Sequence, residues 1–341
     1  KDIATLASPN LKWETTTGIN LGLDFSVLNS RLSGSIEYYS NNTKDLLYNV
    51  DIPGISRFQS FPDNLGKMHN NGLELSVASV NINQADFKWT SQFNFSRVRN
   101  ELKELLGFDN DGDGKEDDLV SEGLFIGESL GTIYTYYTNG DIWQFGDEIP
   151  VTADVGSYKV EDFEEDGVIN PDDRKIIGYR EPSYRFSIGN DFTYKNWELS
   201  IFINSVQGSD KYYLGQDEFD FIYPNSFAWE RDLFPRDMDF WLPENPDARY
   251  ERLGVEISGG IKAWHYIPRS FVRLQDVNLA YNFKSSFLSR YHIRSLRLYF
   301  HGKNLHTWTK WPGWDPETGQ GITRSGRPVT RSYTFGIDVK F

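Results

Sequence analysis

The 341-residue sequence has no cysteine, which excludes a disulfide framework and a thiol nucleophile but leaves the compartment open. Basic tracts are missing as well. Net charge is −14 at pH 7 with no cluster of Lys and Arg, so no nucleic-acid partner is expected. No apolar run approaches the roughly 18 residues of a transmembrane helix. There is no initiator Met and no signal peptide, and the opening "KDIATLASPNLKW" reads as the middle of a longer chain. Catalytic constellations are lacking too. His265, His292, His301 and His306 show no paired metal spacing, and no glycine-rich loop cradles a phosphate. With 49 Asp and Glu, a chance acid pair is certain, so no glycosidase dyad can be read. The expectation is a protein that is not an enzyme.

What is present is alternation, with aromatics at 16%. Ile19, Leu21, Leu23 and Phe25 share one face, as do Leu32, Gly34, Ile36 and Tyr38. Leu73, Leu75 and Val77 follow, then Phe87, Trp89, Phe93 and Phe95. Next come Phe186, Ile188, Phe192 and Tyr194, then Trp197, Leu199, Ile201 and Ile203. "FVRLQDVNLAYNF" places Phe271, Val277, Leu279, Tyr281 and Phe283 together, and "LRLYFHGKNL" follows it. The last strand sets Tyr333, Phe335, Ile337, Val339 and Phe341 on one face.

The pattern predicts about nine strands. Their connections sort by length. Short ones fall near 28–30, 83–86, 195–196 and 284–293; long ones near 43–68, 99–183, 208–268 and 305–331. Short and long alternate, as in an up-and-down transmembrane barrel with tight periplasmic turns and long outer loops. A soluble sandwich also alternates along its strands, but it need not sort its loops. Mean hydropathy of −0.55 fits a barrel equally well, because each strand is only half apolar. The predicted fold is therefore all-β, a transmembrane antiparallel up-and-down β-barrel with long extracellular loops. An alternating final strand ending in Phe is a liability on a soluble edge. Instead it resembles the assembly signal of bacterial outer-membrane proteins, carried by Tyr333, Phe335, Ile337, Val339 and Phe341, which implies the barrel assembly machinery as a partner. With Phe341 periplasmic, residues 1–10 fall in an outer connection. Complete bacterial barrels usually have an even strand number, so the remainder is expected upstream.

Two acidic stretches in the longest outer loop carry a candidate metal chemistry. "DNDGDGKEDD" offers Asp109, Asp111, Asp113 and Asp117, with Gly114 at position 6 and the Lys115 carbonyl at position 7. "DFEEDGVINPDD" offers Asp162, Glu164, Asp166 and Asn170, with Gly167, the Val168 carbonyl, and Asp173 at position 12. This is the front of an EF-hand-type loop, where glycine permits the sharp turn and oxygen ligands suit Ca2+. The first stretch has Val120 at position 12, which offers no closing side chain. Solvated acidic loops would look the same. A structural Ca2+ is the expectation over a signalling one. Aromatic rings also crowd the outer loops; Tyr136, Trp143, Trp241 and Trp264 are candidates for stacking on a substrate, and girdle or packing roles compete for each.

Several segments together resemble one family. "GESLGTIYTYYTNGDIWQ", the segment from "DFEEDGVINPDDRKIIGY" to "INSVQG", "FVRLQDVNLAYNF", "LRLYFHGKNLHTWTKWPGWDPE" and "TFGIDVKF" are similar, in order, to SusC-like TonB-dependent outer-membrane transporters (the RagA/SusC family). The resemblance spans most of residues 10–341 and is weakest over 208–268. It implies that residues 1–341 are the C-terminal portion of a barrel of roughly 22 strands. A plug domain, an energy-coupling TonB box and the earlier strands lie outside this sequence, and they carry gating. The family's usual Asn-Gly before the central Asp is Glu164-Glu165 here, which weakens the metal reading. The implied function is TonB-dependent import of oligosaccharides, or of peptides, across the outer membrane of a Bacteroidota cell. The implied partners are a SusD-like surface lipoprotein acting as a lid, the TonB–ExbB–ExbD motor, the glycan or peptide substrate, and the lipid and lipopolysaccharide of the membrane. The alternative is a SusC-like barrel serving as scaffold or interaction component of another outer-membrane complex.

Overall fold

The computed structural model describes residues 8, 11–51, 60–216, 239–252, 255, 261, 263–283, 288, 292–319 and 328–341. The main strands are β1 (Thr15–Val27), β2 (Leu32–Asp51), β3 (Ser60–Asn83), β4 (Phe87–Glu104), β7 (Tyr184–Tyr194), β8 (Trp197–Gln207), β11 (Phe271–Asn282), β12 (Ser295–Thr309) and β13 (Ser332–Lys340). They form one 9-stranded sheet in the order β1-β2-β3-β4-β7-β8-β11-β12-β13, and every neighbouring pair is antiparallel. The strands expected from alternation are thus all present. Four short strands lie in the loops: β5 (Thr132–Tyr136) pairs with β6 (Arg174–Tyr179), and β9 (Leu214–Gln216) with β10 (Tyr266–Pro268).

Register explains the alternation. Leu23 sits opposite Ile36, Ile36 opposite Leu75, Leu75 opposite Phe95, and Phe95 opposite Phe186. Lower down, Phe192, Leu199, Leu279, Phe300 and Phe335 form a second row across five strands. This face is bare. Leu21 is 64% exposed, Phe335 79% and Ile337 66%. A soluble sheet would bury such a surface; a membrane barrel turns it to lipid. The other face is polar and self-bonded: Ser76 Oγ donates to Asn94 Oδ1 (2.9 Å), and Asn94 Nδ2 to Ser187 Oγ (3.3 Å). The buried clusters lie chiefly in and around the loops. One joins Ile142, Tyr158, Trp241 and Ala248; another joins Leu102 and Leu105 to Leu46, Tyr48, Leu119 and Leu124.

Two expectations need correction. The connection placed at 43–68 is mostly hairpin, since β2 runs to Asp51 and β3 starts at Ser60; residues 52–59 lie outside the described set. Beyond the apolar band the ladder is held by burial against Leu102 and Leu105, so "DLLYNV" needs no alternation to stay extended. Phe271 also does not share the face of Val277. A bulge between Leu274 and Asp276 shifts the register, so Phe271 turns to the opposite face, opposite Val206, where it is 1% exposed.

Candidate functional site

The polar face carries a charged wall. Glu37 and Glu74 stand directly opposite each other on β2 and β3, an unfavourable like-charge pair in isolation. With Arg185, Ser96, Asn94 and Asn204 they line a hollow of about 260 Å3. Towards the turn end of the same face, Arg297 meets Glu198 at 3.1 Å, and Glu198 accepts from Asn282 at 2.8 Å. His301 Nε2 lies 2.9 Å from Asp276. Such a wall of acceptors and ion pairs suits water and polar solutes.

The first acidic loop folds as the glycine spacing requires. Gly112 and Gly114 take φ of 77° and 84°, a conformation rare for other residues. Their N–H groups donate to Asp109, at 2.8 and 3.1 Å. Oxygens of Asp109, Asp111 and Asp117 converge within 4.8 Å of one another, which is metal-ligand spacing. Asp113 points elsewhere: it accepts from the Lys115 N–H at 2.8 Å and faces the Lys115 ammonium at 3.9 Å.

The second loop is wired differently. Asp162 Oδ2 accepts from Gly167 N–H (2.7 Å) and Asp166 Oδ1 from Val168 N–H (2.8 Å). Glu164 is exposed. Asp173, 0% exposed, is occupied by backbone donors: Phe163 N at 2.8 Å and Glu164 N at 3.4 Å on Oδ1, and Asn170 N at 2.8 Å on Oδ2. Asn170 in turn caps the 3-10 turn Pro171–Asp173 by accepting from Asp172 N–H at 2.8 Å. Burial alone would raise the Asp173 carboxyl pKa; the N–H groups of Asn170, Phe163 and Glu164 outweigh it and hold it below the usual value. The remaining oxygen, Asp162 Oδ1, is buried with no hydrogen-bond partner. It lines a cavity of about 190 Å3 together with Trp143, Tyr158, Ile169 and Ile261.

The ring candidates separate. Trp241 is 2% exposed, bonded through Nε1 to Gln144 at 2.8 Å and packed within the loop core, so its faces are closed to a ligand. Trp143 is half-buried beneath the Lys159 ammonium, 4.7 Å from its ring centre. Tyr136 is half-buried at the end of β5, opposite Arg174, and Trp264 is half-buried just before β10. The terminal set stays together: Tyr333 and Phe335 pack on Phe300 of β12, at 6.3 and 5.0 Å between ring centres.

Sequence reasoning did not single out Arg273. It is 4% exposed and binds Asp315 at 2.7 Å, Glu317 at 2.8 Å and Thr307 at 3.1 Å. Beside it, Arg269 lies on the Tyr213 ring, 4.5 Å from its centre, and donates to the carbonyls of Pro316 and Glu317. Together the two arginines clamp "WDPETG" over the outer ends of β11 and β12. An Arg amid an otherwise alternating strand, upstream of an acidic "DPE", was the available signal.

A family model described as "TonB dependent receptor-like, beta-barrel" matches residues 2–305. The chain belongs to that family. Its apolar face is therefore the lipid face of an outer-membrane barrel and its polar face the lumen. TonB-dependent receptor P3 of Formosa agariphila is 32% identical over 361 residues, covering 99% of this chain and 35% of the relative. TonB-dependent receptor SusC of Bacteroides thetaiotaomicron is 28% identical, covering 97% of this chain and 32% of the relative. The structure of the RagAB peptide transporter superposes with a TM-score of 0.71 at 23% identity, covering 100% of this chain and 37% of that one. The chain thus spans about a third of the length of the curated relatives it matches.

Proposed function

We propose that this barrel belongs to a TonB-dependent importer of the outer membrane that takes up an oligosaccharide or a peptide together with a SusD-like surface lipoprotein, with energy from TonB–ExbB–ExbD. The observation that carries this reading is the family match over residues 2–305, borne by a sheet whose lumen face carries the hydrogen-bonded polar row Ser76, Asn94 and Ser187. Relatives named SusC and a RagAB peptide transporter support the lipoprotein lid and leave sugar and peptide both in play. Trp143, Tyr136 and Trp264 are the rings we assign to ligand contact in the outer vestibule. The test is mild-detergent extraction of the full-length protein from native outer membrane, with mass spectrometry of what stays bound. A stoichiometric surface lipoprotein is expected. Assembly or secretion factors without such a lipoprotein would overturn import in favour of a scaffold role.

The acidic loops complete the proposal. Ca2+ at Asp109, Asp111 and Asp117 would relieve the repulsion of three converging carboxylates. In the second loop the supporting feature is the buried, unpartnered Asp162 Oδ1, with the Val168 carbonyl, Glu164 and Asp166 as further oxygens. Tb3+ luminescence sensitised by the loop tryptophans, displaced by Ca2+ and abolished by joint Asp109→Asn and Asp162→Asn substitution, is the expected signal. Equal luminescence in that double variant would refute both sites.

A further inference from the structure

The lipid face carries an interruption. Between the aromatic ring of the turn end and the apolar band above it, β3, β4 and β7 present Ser79, Asn81, Ser91 and Asn190. Alternation from Leu73 through Ser79 brings Asn81 to this face. A bulge between Val80 and Ile82 then sets Ile82 opposite Trp89 on the same side, and Arg31 secures it by donating to the carbonyls of Val80 (3.1 Å) and Asn81 (2.6 Å). Asn190 lies four residues from Tyr194, roughly 9 Å above the turn on a tilted strand, with Ile188 and Phe93 next above it. Uncompensated amides at that depth are disfavoured, so this one has a use.

The hydrogen bonds run one way. Ser79 Oγ donates to Asn81 Oδ1 (3.0 Å), Asn81 Nδ2 to Ser91 Oγ (2.7 Å), and Ser91 Oγ to Asn190 Oδ1 (2.6 Å). Trp89 Nε1, which can only donate, also meets Asn190 Oδ1 (3.0 Å) and so fixes the amide's orientation. The chain ends at Asn190 Nδ2. No acceptor among the described residues meets its two N–H groups. Donors aligned in series strengthen the last one. The missing partner is therefore an acceptor. Nearer the turn, Lys195 folds over the Tyr194 ring, Nζ 5.3 Å from its centre, and no described carboxylate pairs with it.

We propose that this face of β3, β4 and β7 binds a glycerophospholipid of the periplasmic leaflet, with an ester carbonyl on the Asn190 amide, the phosphate on Lys195, and an acyl chain along Phe93 and Ile188. An acceptor at ester depth below an anion at headgroup depth is the chemistry of that lipid. A second copy of the chain fits less well, since a twofold axis here would set the Asn190 donors against each other. The inference rests on the membrane-barrel assignment and not on what is transported.

The test is native mass spectrometry of the full-length protein from outer membrane, before and after delipidation and return of phosphatidylethanolamine or phosphatidylglycerol. One tightly retained phospholipid is expected. Asn190→Leu, a residue type common on this face, should lower its retention about tenfold. Lys195→Glu should weaken it further for phosphatidylglycerol, the lipid with net negative charge. Equal retention in wild type and both variants overturns the site. So does a paired barrel that separates on Asn190→Leu, which would assign the face to a second copy. Should Asn190→Leu fail to assemble, Asn190→Ser and the exposed-turn variant Lys195→Glu carry the same comparison.

Discussion

Replacing Arg273 by Met tests the clamp on the outer loop. The substitution keeps most of the stem volume and removes the charge. Asp315 is 5% exposed, and among the described residues its Oδ1 otherwise meets only the backbone N–H of Glu317 at 3.1 Å. Glu317, with a side chain 42% exposed, can turn to water. The cost is therefore mainly one stranded, buried carboxylate, about 3–5 kcal/mol. The surrounding sheet does not depend on this contact, so the loss appears as local opening of the 310–319 segment. At about 1.4 kcal/mol per decade, opening should become roughly a hundred- to a few-thousandfold more frequent. Hydrogen exchange at the Glu317 and Gly319 amides, both bonded to Asp315, reads it directly. The joint Arg273→Met and Asp315→Leu variant removes both charges and should recover most of the loss. Unchanged protection in the single variant, or a double variant as open as the single, would show that the pair does not hold the segment.

Three further outcomes follow from the same geometry. Gly66 has φ of 23°, and a Cβ there would lie 1.7 Å from the Glu104 carbonyl oxygen, so Gly66→Ala should cost about 2 kcal/mol or more; amide exchange near Leu102–Leu105 checks it, and wild-type rates would refute it. Asp173 has a depressed pKa in the fold, so its contribution is present above the unfolded value and lost as pH falls through the folded one; protection of the Phe163 amide should be flat at neutral pH, collapse below about pH 4, and lose that dependence in Asp173→Asn. Phe341 is 79% exposed, so deleting it should leave the melting of assembled barrel unchanged while lowering the amount assembled; heat-modifiable mobility on gels measures both.

The strands were legible because each is half apolar, and a period of two survives any tertiary context that wets one face and hides the other. Ile19 to Phe25 and Tyr333 to Val339 needed no structure to be placed. Loop sorting then gave an expected sidedness. The acidic loops were legible as ligand types at turn spacing. The convergence of Asp109, Asp111 and Asp117, against the capping use of Asp173, was not. Which oxygens meet a metal and which meet backbone N–H groups depends on turns that spacing alone does not specify.

By itself, then, the sequence determined the strand faces, the strand count and the terminal strand, since these depend on local alternation against solvent. The tertiary structure decided the rest. A bulge has no period, so only cross-strand pairing could show that Phe271 turns to the lumen side and Ile82 towards lipid. Burial decided that Trp241 belongs to a loop core and Arg273 to a clamp, because both depend on segments far apart in the chain packing at one place.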